Sequence, residues 1–255
     1  MEGGGYRTGI SIEFEDRKVK MQLTNKIAII TGASDGLGKH IALKLAKEGV
    51  SLALVARNKK KLESVITEVK KLGSPKALFY QCNIKHLDQI KNTILKIITD
   101  LGKVDVLVNC AGIWQKLNTL ENIDEKAVDD VIQTNLTGMI HLTKLVLPYL
   151  KKQKESAIIN ISSRSGVTVQ EHQSVYTAIK WGVTGFTEAL KLELKGTGVR
   201  VAGVYQGGVN TEMFRKTGEE FNQDHFIKPE DLADVIVFML SQPPQIWLHD
   251  VRVEY

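Results

Sequence analysis

Tyr176 and Lys180 stand four residues apart in SVYTAIKWGV, a run of helical period, so both side chains project from one helix face toward one ligand. A free phenol ionises near pH 10, and a neighbouring ammonium favours the phenolate, which would bring Tyr176 closer to exchanging a proton near neutral pH. In a chain this rich in lysine the spacing alone says little. Ser163 adds to it, because it ends an apolar run upstream, where a hydroxyl can hydrogen-bond a reacting oxygen and steady the charge that develops there. Ser162 is the adjacent alternative. Asn135, in QTNLTG, is a mediocre helix former inside an amphipathic stretch, and its plainest reading is a side chain bonded to nearby backbone.

A second constellation lies near the start of the chain. In TGASDGLGKHIA, from Thr31 to Ala42, Gly32, Gly36 and Gly38 follow one apolar run and open a helical one, with Ser34, Asp35 and Leu37 between them. Glycines at those points let the backbone turn tightly and approach a pyrophosphate, while the helix N-terminus supplies N–H donors and dipole. A plain connection between strand and helix is the competing reading.

Both constellations need a scaffold, and from Lys26 the chain supplies one. Short β-branched apolar runs at 26–31, 51–56, 76–81, 104–109, 156–162, 199–205 and 248–253 alternate with amphipathic stretches near 37–49, 59–72, 87–101, 124–150, 174–196 and 230–241. Near-continuous apolarity in AIIT and LALV suits strands covered on both faces. The pattern predicts an α/β fold, a single doubly wound domain over 22–255 with a mostly parallel, about seven-stranded sheet flanked by helices. Residues 1–21, rich in Gly and charge, read as a flexible extension, with Met21 an alternative start.

Composition excludes several classes. The net charge of +5 comes from lysines spread over helical stretches, which argues against a dedicated nucleic-acid surface. No apolar stretch reaches the roughly 18 to 20 residues of a membrane helix, and Cys82 and Cys110 read as buried reduced thiols, so a cytoplasmic protein is expected. No metal site is expected.

The motifs together resemble the short-chain dehydrogenase/reductase family, in its branch with TGxxxGxG and not the TGxxGxxG of the extended branch. NCAG, with Asn109, Ala111 and Gly112, resembles the family's NNAG element, with Cys110 replacing an Asn. Asn135 matches its active-site Asn, Ser163 to Gly166 its SxxG, and YTAIK its YxxxK. Asn83 and Ile84 resemble the pair set against the adenine. QGGVNT, with Gly207, Val209 and Thr211, resembles PGxVxT, although Gln206 replaces the Pro and loosens a rigid turn.

The resemblance implies a Rossmann-type fold and hydride transfer between a nicotinamide cofactor and a small-molecule carbonyl or alcohol. It makes Tyr176 the general acid/base, Lys180 its pKa-lowering neighbour and a ribose ligand, Ser163 the group orienting the substrate oxygen, and Asn135 the support of a water relay. It also implies a homodimer or homotetramer through helices 124–150 and 174–196. Arg57, which follows Ala56 where NAD-preferring relatives carry Asp, offers a planar fork for a 2′-phosphate, so NADP(H) is the expected cofactor and NAD(H) the alternative. Asp35 argues the other way, since many NADP-preferring relatives have a basic residue there. Ile113, Trp114, Met213, Phe214 and the loop 165–173 should line the substrate pocket, His172 is a weak candidate there, and Trp181 should pack between helices. A catalytically silent NADP(H)-binding sensor is the rival reading.

Overall fold

The computed structural model describes residues 23–243 and 245–254, so the extension expected over 1–21 lies outside the described residues. Strands β1 (Ile27–Thr31), β2 (Ser51–Ala56), β3 (Ala77–Gln81), β4 (Val106–Asn109), β5 (Ser156–Ile161), β6 (Val199–Gln206) and β7 (Asp250–Val253) form one sheet in the order β3-β2-β1-β4-β5-β6-β7. Every pairing among them is parallel, where a mostly parallel sheet was expected. The order reverses between β1 and β4. That is where an open α/β sheet leaves a crevice at its carboxyl edge.

Helices cover both faces, and the strands show why. Ala28 and Ile30 of β1, Leu52 and Leu54 of β2, and Val106 and Val108 of β4 pack in one apolar cluster with Ile41 and Leu45 of α1 (Gly36–Lys47), Leu62 and Val65 of α2 (Lys59–Lys71), and Ile236 and Met239 of α7 (Pro229–Leu240). The alternate residues, Ile29, Ala53, Val55 and Leu107, face Ile90 and Ile94 of α3 (Leu87–Leu101), Leu142 and Val146 of α5 (Gly138–Leu150), and Leu190 of α6 (Ser174–Glu193). Strand side chains alternate between faces, so a strand buried on both sides must be apolar throughout.

The stretch expected as one helix over 124–150 is interrupted. Asp124 caps α4 (Glu125–Ile132) by accepting from the Ala127 amide at 2.9 Å, and a π-helical turn over Gln133–Thr137 separates α4 from α5. The extra residue of such a turn cannot be seen in a 3.6-residue periodicity, and these turns concentrate at functional sites. Asn135 therefore sits in the π turn and not in regular α-helix. Gly138 follows it, and a Cβ there would meet the Ile84 carbonyl oxygen at 2.4 Å, so the turn presses directly on the end of the β3 connection.

A chain of buried amides and hydroxyls crosses the sheet interior. Asn109 donates to the Thr143 hydroxyl at 2.9 Å and to the Asn160 carbonyl oxygen at 2.8 Å, and Asn160 donates to the Thr187 hydroxyl at 2.9 Å. It joins β4, β5, α5 and α6, the last being the helix that carries Tyr176 and Lys180. Asn160 is fully buried. Asn160→Leu, which leaves donor and acceptor partners unmatched in a dry interior, is expected to cost about 1–3 kcal/mol, read as a lower urea midpoint at unchanged slope.

Candidate active site

The crevice holds a cavity of about 750 Å³, within the usual range of ligand sites, and it unites the two constellations. At one end lies the glycine turn. Gly32 and Gly36 adopt left-handed φ of 70° and 50°, and added Cβ atoms would meet Ala111 Cα at 2.9 Å from Gly32 and the Gly32 carbonyl oxygen at 2.5 Å from Gly38. Asp35 caps α1 by accepting from the Gly36 amide at 2.9 Å. Gly32, Ser34, Asp35, Gly36, Leu37 and Gly38 all line the cavity, as do Arg57, Asn83, Ile84, Ala111, Gly112, Gly207, Val209 and Thr211.

Asn109 is the exception among the expected cofactor residues. It does not line the cavity, because its side chain turns into the buried amide chain between β4 and β5. Its neighbours form the wall instead. The Thr31 hydroxyl accepts from the Cys110 and Ala111 amides, each at 3.0 Å, and so fixes the segment that leaves β4.

Asn135, Ser163, Tyr176 and Lys180 meet at the far side of the same cavity. Ser163 lies beside the Tyr176 phenol closely enough to influence its ionisation, and Ser163 Oγ accepts from the Ser165 amide at 3.1 Å. The adjacent Ser162 hydroxyl donates instead to the Lys180 carbonyl at 3.3 Å. Lys180 Nζ lies 5.5 Å from the Tyr176 ring centroid and donates to the Ile161 carbonyl at 3.3 Å. Both amide atoms of Asn135 are committed to Ile113, accepting from its amide and donating to its carbonyl at 2.8 Å each, so the side chain clamps the segment after β4.

Burial dominates the electrostatics of this pair. It pushes the Tyr176 phenol up, and Ser163 opposes the rise only in part. Burial also lowers Lys180 to about 8, with the Cys110 sulfur acting in the opposite sense. The Cys110 thiol, which replaces the expected Asn, is itself pushed up to about 12 by burial, with Lys180 pulling it down.

Trp114 and Phe214 line the cavity as expected, and several further contributors were not legible beforehand. Trp114 packs edge-on against Tyr176 at 4.6 Å and Phe214 at 5.0 Å, and Phe214 continues to Phe221 at 5.0 Å and Phe226 at 5.7 Å. Phe221, Phe226 and Glu219 lay in a stretch without periodicity, where no local signal marks an aromatic wall. Lys61 and Lys216 both donate to Asp35 Oδ2, at 2.6 and 3.2 Å. On Asp35 burial is the largest influence and raises the pKa, but the Lys61, Gly36 and Lys216 contacts outweigh it and hold the carboxyl at about 2. Gln206 lines the cavity and donates to the Ser162 carbonyl at 3.2 Å. His172 is exposed and outside the cavity lining. Trp181 is 48% exposed and does not pack between helices of this chain.

The family model described as short chain dehydrogenase matches residues 26–222. The chain belongs to that family. This short-chain dehydrogenase is accordingly an oxidoreductase with the family's Rossmann-type fold. It is 36% identical over 229 residues to the 3-oxoacyl-(acyl-carrier-protein) reductase FabG of Thermotoga maritima, covering 87% of this chain and 92% of that one. Among solved structures, a metagenomic short-chain oxidoreductase in complex with NADP superposes with a TM-score of 0.80 at 31% identity, covering 91% of this chain and 98% of the other. Levodione reductase superposes at 0.82 with 27% identity, covering 90% and 96%. The glycine turn, with two positions a Cβ would fill, fits the pyrophosphate of a nicotinamide dinucleotide.

Lys180 gives the site a measurable signature. Its folded pKa of about 8 lies below its ordinary 10.5, so between those values the unfolded chain binds more protons and stability from this group rises with pH. At pH 7 the buried ammonium therefore opposes folding. Lys180→Met is expected to stabilise the cofactor-free protein by on the order of 2 kcal/mol at pH 7, with the gap to wild type narrowing between pH 8 and 10.5 in melting experiments. A gap that widens with pH would contradict this assignment.

Proposed function

We propose that this short-chain dehydrogenase reduces a small-molecule carbonyl with NADPH, or oxidises the corresponding alcohol. The observation that carries the reading is the meeting of Ser163, Tyr176 and Lys180 on the wall of the cavity that also contains the glycine turn. When bound, the nicotinamide supplies or accepts the hydride. Tyr176 gives its proton to the carbonyl oxygen, and its raised pKa keeps the phenol protonated at neutral pH, the form that reduction requires. Ser163 holds that oxygen and the Tyr176 hydroxyl together. Lys180 would hold the ribose hydroxyls of that cofactor. Asn135 positions the Ile113 wall, and the π turn around it supports a water relay to Lys180.

Preference for the phosphorylated cofactor is supported by charge at the adenosine end. Arg57, Lys61 and Lys216 line the cavity there, with Asp35 and Glu212 as the lining carboxylates. The Asp35 carboxylate is already engaged by the Gly36 amide and both lysines, which removes the ground for treating it as a repellent to a 2′-phosphate. The aromatic wall of Trp114, Phe214, Phe221 and Phe226 favours a compact apolar carbonyl compound. This reading includes a homodimer or homotetramer and a cytoplasmic setting, in which the free Cys82 and Cys110 stay reduced.

NADPH absorbance followed against ketones, aldehydes, ketoacyl thioesters and sugars tests the activity, and Tyr176→Phe is expected to lower kcat/KM by about 10²–10⁴-fold. Turnover unchanged in that variant would remove the mechanism. Tight cofactor binding without turnover on the whole panel would leave a cofactor sensor. Dissociation constants should favour NADPH over NADH, and equal or tighter NADH binding would overturn the cofactor assignment.

A further inference from the structure

The segment between β6 and α7 is pinned at both its base and its tip. At the base, Val209 bridges Ile227 in parallel, with the Asn210 amide donating to the Ile227 carbonyl and the Ile227 amide to the Gly208 carbonyl, each at 2.9 Å. At the tip, two oppositely charged residues reach opposite walls of the cavity. Lys216 donates to Asp35 Oδ2 at 3.2 Å, on the glycine turn. Glu219 accepts from the Leu117 amide at 2.9 Å and from the Trp114 indole N–H, on the substrate side. Between them Gly218 takes a left-handed φ of 77°, which reverses the chain so that neighbours three residues apart can face opposite ways.

The cofactor-side contact is unbalanced in charge. One carboxylate oxygen accepts from two ammonium groups, Lys61 and Lys216, while Arg57 lines the same end of the cavity. The lysine side chains are 49% and 60% exposed, so these are weak pairs and easily exchanged. A phosphate monoester, with about two negative charges and three acceptor oxygens, is a better partner for both than a shared carboxylate oxygen. Lys61 would meet it from α2, part of the cofactor wall. Lys216 would meet it from a segment whose Glu219 also holds the Trp114 indole on the substrate side.

We propose that Lys216 is a specificity-determining residue that reads the cofactor's 2′-phosphate from this segment and, through Gly218 and Glu219, links its presence to closure of the aromatic substrate wall. The proposal rests on the NADP(H) reading above. NADPH binding then orders the segment beyond what NADH does, although the two cofactors differ only at the adenosine end.

The test compares wild type with Lys216→Met, Lys216→Arg and Glu219→Ala, using NADPH and NADH as probes, with dissociation constants read by nicotinamide fluorescence and segment order by tryptic cleavage after Arg215 at saturating cofactor. Lys216→Met is expected to raise the NADPH constant about five- to tenfold and the NADH constant less than about twofold, with Lys216→Arg restoring the difference. In wild type, NADPH should protect the Arg215 bond better than NADH, and Lys216→Met should erase that advantage. Glu219→Ala should also erase it while keeping the NADPH to NADH ratio. Equal weakening of both cofactors in Lys216→Met, or an unchanged ratio, overturns the proposal and leaves the NADP(H) reading standing. A wild type that does not favour NADPH overturns both.

Discussion

Where β1 and β4 end side by side, the backbone is held by the Thr31 hydroxyl, which accepts from two successive amides at the start of the segment leaving β4. Gly32 completes the contact, since any Cβ there would strike Ala111. From this point the chain parts. The β1 connection turns toward α1 and the cofactor end, and the β4 connection runs to Ile113 and Trp114 on the substrate end. A parallel sheet whose order reverses has to open here, and the Thr31 contact sets how far it opens. The clamp of Asn135 on Ile113 and the grip of Glu219 on Trp114 both act on a segment whose origin Thr31 has already fixed.

A second constraint runs beneath the first. Tyr176 and Lys180 must keep their places on α6 although burial disfavours both the phenolate of one and the ammonium of the other. The Thr187–Asn160–Asn109 chain ties the middle of that helix to the sheet through directional bonds, whereas apolar packing alone would tolerate sliding. Asn109 is thus tied, through Asn160 and Thr187, to the helix that carries Tyr176 and Lys180. The NCAG motif carries two kinds of work, with Asn109 facing the sheet and Ala111 and Gly112 facing the cavity.

Much of this was legible before any coordinates. The strands were visible because double-sided burial forces continuous apolarity, as in IAIIT and SLALVA. The glycine turn was visible because a left-handed backbone and close approach leave few residue choices. What escaped had no local signature. The π turn at 133–137 adds a residue that averages out of a helical period, the aromatic wall is assembled from three segments, and the pairing of Lys61 and Lys216 on Asp35 joins residues far apart in the chain. The burial acting on Tyr176 was not legible, because the Tyr–Lys spacing shows that the two share a face but not how dry that face is. Trp181 stays half exposed because the described elements leave its helix face partly uncovered.

The base of the segment between β6 and α7 is closed by main-chain bonds from Asn210 and Gly208 to Ile227. Bonds of that kind do not depend on which side chains lie between them. The residues between Thr211 and Phe226 can therefore vary while the sheet stays in place. Divergence among relatives, or a laboratory graft, can reshape what the enzyme accepts without re-solving how the chain folds.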